Sequence, residues 1–120
     1  MGRGLSELQR QILTLALEKV DAGRRGSRAY QEGHPDLFIS EILVALFGWE
    51  PERYHTVLGC QHFSRAAIGE TGYNATMATL SRAIRRLATR NLVKRDRLNP
   101  WSKGLSLTAE GIEIARTLRN

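Results

Sequence analysis

The sequence predicts a mainly α domain with one small β-hairpin. Apolar residues recur at helical spacing in four separate stretches, and two short alternating segments near the C-terminus flank a turn-rich tip. The composition agrees: 120 residues, 42% hydrophobic and 25% charged, suit one folded soluble domain and are too few for two.

Residues 5–21 read as the first helix, with Ser6 as N-cap and Gln9 three residues on, where a capping box needs it. Leu5, Leu8, Ile12, Leu15 and Ala16 form one stripe, which Leu13, Leu17 and Val20 widen. A band that broad serves the domain core or, in part, a subunit contact. Residues 22–36 form a loop, broken by Gly23, Gly26, Gly33 and Pro35. Its Arg24, Arg25 and Arg28 are either solvated or a grip for phosphates. Leu37-Phe38-Ile39 is a candidate short strand. Ser40 then caps a helix through Phe47 whose inward residues are Ile42, Leu43, Leu46 and Phe47, and Gly48 ends it.

Residues 49–73 hold more apolar anchors than a free loop, among them Trp49, Tyr54, Phe63 and Tyr73, so they are expected to pack. Short helices around 52–58 and 64–68 are the expectation there. A basic helix follows from about Asn74, its cap, to about Asn91. Residues 92–96 and 104–108 are strand candidates around a tip with Pro100 and Trp101, and Thr108 caps a last helix over 109–118.

Charge is the most directive feature. Residues 1–70 hold 8 Lys/Arg against 9 Asp/Glu, and residues 71–120 hold 10 against 3. The net charge of +6 is therefore a localised surface, which favours an anionic partner, nucleic acid before membrane. On the basic helix Met77, Leu80, Ile84 and Leu87 make one apolar stripe. Thr79, Arg82 and Arg86 fall on the opposite side, with Arg85 and Thr89 beside them. Arg presents a planar fork of donors that suits guanine or phosphate, and Thr offers a hydroxyl and a methyl to phosphate and thymine.

The run Leu80-Ser-Arg-Ala-Ile-Arg-Arg-Leu-Ala-Thr-Arg-Asn-Leu-Val-Lys-Arg-Asp96, followed by Leu105-Ser-Leu-Thr-Ala-Glu-Gly111, resembles the recognition helix, wing and following L-T-x-x-G of MarR- and PadR-like regulators. The likeness covers roughly residues 76–115 and implies a winged helix-turn-helix. It implies further that Thr76, Thr79, Arg82, Arg85 and Arg86 face a DNA groove, and that Arg97, Lys103 and Trp101 make wing contacts. The family joins its supporting and recognition helices by a short turn, whereas Gly48 and Asn74 are about 25 residues apart here. Either residues 49–73 are an insertion before the recognition helix, the arrangement favoured here, or the short helix near 64–68 is the supporting one.

The expected function is sequence-specific binding of double-stranded DNA by a cytoplasmic transcriptional regulator. One recognition helix reads few base pairs, so a homodimer is expected, joined through its first and last helices. The rival expectation is a winged-helix interaction module whose basic face binds an acidic protein. His55, Cys60 and His62 include soft metal ligands but no paired Cys-x-x-Cys, so no metal and no cofactor are expected. No nucleophile–base set or pair of acids is convincingly placed, and no enzyme is expected. A single cysteine fits a reducing compartment. The start lacks a signal peptide's apolar core, and the longest apolar run, Ile42 to Phe47, is too short to span a bilayer.

Overall fold

A computed structural model describes residues 4–26, 34–51, 53–55, 60–97 and 103–119, with the backbone alone for 53–55 and 60–62. In chain order the elements are α1 (Glu7–Asp21), a 3-10 turn (Arg24–Gly26), β1 (Leu37–Phe38), α2 (Ile39–Phe47), β2 (Arg53–His55), β3 (Cys60–His62), α3 (Arg65–Ile68), α4 (Glu70–Thr89), β4 (Val93–Arg97), β5 (Lys103–Leu107) and α5 (Ala109–Arg119). The fold is mostly helical, with a three-stranded antiparallel sheet ordered β1-β5-β4 and a separate two-stranded pair, β2-β3.

Helix α1 is the centre of the packing and touches α2, α4, α5, β1 and β5. Its Ile12, Leu13, Ala16 and Leu17 are completely buried, while Leu5, Leu8, Leu15 and Val20 pack half-buried at the edge of the same core. Ser6 and Gln9 form the expected reciprocal capping box, Gln9 N–H to Ser6 Oγ at 3.2 Å and Ser6 N–H to Gln9 Oε1 at 2.9 Å. No helix among the described residues is long and apolar enough to cross a membrane.

Helix α2 begins one residue before Ser40, with Phe38 as N-cap, so Ser40 is not the cap. The Glu41 carboxylate takes the capping role by accepting the Phe38 N–H at 2.8 Å. Ser40 Oγ is buried without a hydrogen-bond partner among the described residues. Gly48 ends the helix in the left-handed region, φ 70°, as expected.

Arg24 and Arg25 are engaged by carboxylates, although Arg25 stays partly exposed. Arg24 grips Glu41 with two bonds of 2.6 and 2.8 Å and donates to the Asp36 carbonyl. Arg25 grips the fully buried Asp36 carboxylate at 2.9 and 2.6 Å. Asp36 Oδ2 also accepts the Leu107 N–H at 2.8 Å, which ties the loop to β5. Arg28 lies outside the described residues.

In the 49–73 region, 64–68 is helical as expected, in α3. Of the helix expected at 52–58, residues 53–55 instead form β2, paired with β3, and residues 52 and 56–58 lie outside the described residues. The two strands form a local hairpin, His55 opposite Cys60, and so short a window gives no periodicity that distinguishes strand from helix.

Helix α4 starts at Glu70, four residues before the expected cap, and Asn74 lies exposed within it. The extra turn is anchored by a long-range contact: the Tyr73 ring stacks on Trp49 at 5.1 Å, and Trp49 meets Phe63 edge-on at 5.3 Å. At the other end Asn91 adopts φ 62°, and the Leu92 and Asn91 N–H groups return to the Leu87 and Ala88 carbonyls. That is a Schellman stop with Asn in the position glycine usually holds.

The turn after α4 is fastened to the start of α5. Thr108 Oγ1 donates to the Asn91 carbonyl at 2.7 Å and accepts the Gly111 N–H at 2.9 Å, acting as the expected cap. A Cβ on Gly111 would collide with the Leu92 carbonyl oxygen, so the Leu-Thr-x-x-Gly run has a packing cause.

Candidate functional site

The buried face of α4 determines what its other face can offer. Leu80, Ile84 and Leu87 are at most 2% exposed and Ala83 is buried beside them. Burial of each large side chain contributes about 1.5–3 kcal/mol, enough to hold the helix in one rotational setting. Thr79, Arg82, Arg85, Arg86 and Thr89 are consequently all exposed on its outer side. Arg82 Nη2 reaches Thr79 Oγ1 at 3.5 Å, one turn back on the same face. Thr76 stands apart from this group. It is half-buried and precedes Leu80 by one turn, on the flank of the apolar stripe.

The β4-β5 hairpin supplies a second basic element. Arg97 and Lys103 are cross-strand partners, both exposed, at the distal end of the described ladder. Trp101, expected to contribute at the tip, lies outside the described residues. Gly104 lets the hairpin lie close to β1, because a Cβ there would meet the Leu37 carbonyl oxygen.

Arg95 was not among the residues singled out from sequence. Its Nη2 donates to the Ser81 carbonyl at 3.3 Å and to Ser81 Oγ at 3.4 Å, linking hairpin to helix. The signal was present as another base in the alternating strand, but its partner is 14 residues away. Helix and hairpin border a groove of about 630 Å³, with Ile39, Met77 and Ile84 on its apolar side and Arg95, Asp96, Arg97 and Lys103 on its charged side. Farther along α4, Arg86 and Arg90 border a second depression with Ser6 and Gln9.

Ion pairing sorts the cations. Arg116 and Arg119 both pair with Asp21, whose carboxyl is held below its ordinary range by the Arg119 and Arg116 hydrogen bonds. Lys19 and Arg24 are paired with Glu41. Burial alone would raise the Glu41 pKa, but the hydrogen bonds from Arg24 and the Phe38 N–H outweigh it, and the net shift is downward. Among the described residues, Arg82, Arg85, Arg86, Arg97 and Lys103 have no carboxylate partner. Arg90 and Arg95 are likewise unpaired with a carboxylate, so among the described residues such cations lie on α4 and the hairpin, with Arg10 on α1 the exception. No group of three His, Cys, Asp or Glu side chains among the described residues is placed to hold a metal.

Comparison with family models, with curated proteins and with solved structures gives no match to the chain.

Proposed function

We propose that the chain is a winged helix-turn-helix protein that binds double-stranded DNA in a sequence-specific manner and regulates transcription. In this reading α4 is the recognition helix, β4-β5 is the wing and residues 49–69 are an insertion between supporting and recognition helices. The observation that carries the proposal is the row of exposed, carboxylate-free guanidiniums Arg82, Arg85 and Arg86, flanked by Thr79 and by the Arg97–Lys103 pair.

The dimensions suit a duplex. A helix with side chains is about 10–12 Å across and the major groove is about 12 Å wide. From Thr79 to Thr89 the outer face extends about 15 Å at 1.5 Å per residue. Ala75 and Ala78, exposed in the preceding turns, keep that part of the helix slim where it would approach base edges. The arginines serve base edges or phosphates on either side, and the hairpin reaches the flanking backbone.

A homodimer completes the proposal, because two half-sites give a specificity that one helix cannot. Its interface is assigned to α1 and α5, where Ile114 is the one large hydrophobic residue exposed among those described, at 38%. The test is selection of duplexes from a random-sequence library by the full-length chain. Enrichment of one motif, in two symmetric copies, is the expected result. Recovery of no enriched duplex would overturn the reading, and capture of acidic proteins by the same basic face would replace it.

A further inference from the structure

The groove between α4 and the β4-β5 hairpin is amphipathic, and its two sides come from different elements. Met77, Leu80 and Ile84 of α4, with Ile39 at the start of α2, make the apolar wall. Leu80 and Ile84 are at most 2% exposed, whereas Met77 and Ile39 are half-buried and leave apolar surface open to the groove. From Met77 to Ile84 the wall runs about 10 Å along the helix axis, at 1.5 Å per residue. The other side is cationic. The register sets Arg95 opposite Leu105 and Arg97 opposite Lys103, so all four share one face of the hairpin. Leu105 is completely buried and Arg95 reaches Ser81 of α4, which identifies this face as the one turned towards the helix. Asp96 also borders the groove, but it shares the opposite face with Lys94, its ion-pair partner at 3.7 Å.

We propose that this groove binds a medium-chain aliphatic carboxylate, a fatty acid of about 8–10 carbons, whose head group meets Arg95, Arg97 and Lys103 while its chain lies along Met77, Leu80 and Ile84. The groove's volume of about 630 Å³ falls within the roughly 300–1,000 Å³ of small-molecule sites. With C–C bonds of about 1.5 Å and angles of about 111°, an extended chain of that length covers the wall from end to end. The unbranched thioether of Met77 adapts its shape to such a chain. At the head, a guanidinium takes a carboxylate through two parallel hydrogen bonds. Arg95 holds Ser81 through Nη2 only, at 3.3 and 3.4 Å, longer than the usual N–H···O distance of about 2.9–3.0 Å. None of the three cations has a carboxylate partner among the described residues. Charge complementarity therefore selects an anion, and the length of the wall selects a chain.

Arg97 and Lys103 are also the cations that the duplex reading gives to the flanking DNA backbone. On that reading, carboxylate and phosphate compete for the same two side chains. The carboxylate site itself does not rest on the duplex reading, and its test contains no nucleic acid.

The test is calorimetric titration of the full-length chain with hexanoate, octanoate and decanoate. The expected result is one site per chain, with affinity rising about two- to fourfold for each added methylene, as burial of the chain requires. Decyltrimethylammonium, a chain of the same length with the opposite charge, gives no saturable binding. The double variant Arg97→Ala/Lys103→Ala weakens decanoate at least about tenfold, the loss expected when hydrogen bonds to a charged group are removed. Met77→Glu sets a like charge on the apolar wall and abolishes binding. Arg116→Ala, on a cation already paired with Asp21, leaves affinity unchanged. Far-ultraviolet circular dichroism checks that each variant is folded. Absence of saturable carboxylate binding overturns the proposal, as does affinity independent of chain length, equal binding of the ammonium, or wild-type affinity in the folded double variant.

Discussion

Arg25 and Asp36 form a two-pronged ion pair, Nε to Oδ1 at 2.9 Å and Nη2 to Oδ2 at 2.6 Å, in which the carboxylate is fully buried. The same Nη2 also donates to the Leu107 carbonyl, 82 residues away. Two residues of a glycine-broken loop thereby hold β1 and β5 in place beneath α2. Arg25→Ala leaves the Asp36 carboxylate buried with its charge uncompensated and is expected to destabilise the fold by about 3 kcal/mol. Urea unfolding measures this, and the double variant Arg25→Ala/Asp36→Asn should recover part of the loss.

Acid lability follows from Glu41. Its folded pKa is lowered from an ordinary value of 4.5, so the unfolded chain binds protons more readily than the native one. Its stabilising contribution is complete above pH 4.5 and is lost as pH falls through the lower folded value. Asp21, also lowered, acts in the same direction. Unfolding midpoints measured from pH 6 down to pH 3 should decline, and Glu41→Gln should flatten the decline while lowering stability at neutral pH.

Three glycines separate packing from propensity. Gly111→Ala forces a Cβ into the Leu92 carbonyl, and Gly104→Ala forces one into the Leu37 carbonyl. Each should cost about 1–3 kcal/mol, the usual range for overpacking. Gly72, inside α4 with open space where a Cβ would lie, should instead gain about 0.5–1 kcal/mol on replacement by Ala. Thermal unfolding of the three variants should therefore move in opposite directions.

These cases show what a sequence reveals and where it stops. The Ser6–Gln9 box, the Gly48 stop and the Thr108 cap were legible because each is local: residue type and a three-residue spacing determine the hydrogen bond. The outer face of α4 was legible for the same reason, since 100° per residue separates Arg82 and Arg86 from Leu80 and Leu87. The partners of Arg24 and Arg25 were not, because Glu41 and Asp36 lie 17 and 11 residues on and Leu107 is on another strand. The true start of α4 depends on Trp49 stacking against Tyr73, and β2 exists only as the partner of β3. Ser40 looked like a cap by type, but the helix begins at Ile39, so Ser40 lies inside its first turn. Thr76 was selected by likeness to a family and lies off the outer face that the helical angle defines.

Self-association is the next consequence. If α1 and α5 join two copies, sedimentation of the free chain should give a dimer. Ile114→Glu, at an exposed position, should weaken that association at least about tenfold without unfolding the chain, a cost of roughly 1.4 kcal/mol or more. A monomer both free and bound to its best duplex contradicts the dimer.

The most direct test of the central claim is the salt dependence of duplex binding, wild type against Arg82→Ala and Arg86→Ala. Affinity for B-form DNA should fall steeply as salt rises, and loss of one phosphate contact should flatten the log–log slope by about 0.9. A guanidinium that reads a base should instead weaken the preferred sequence by about 1–3 kcal/mol with the slope little changed. Arg116→Ala, on a cation already paired with Asp21, should leave both affinity and slope as they were. Duplex binding that is absent at low salt, or unaffected by either α4 substitution, would contradict the account.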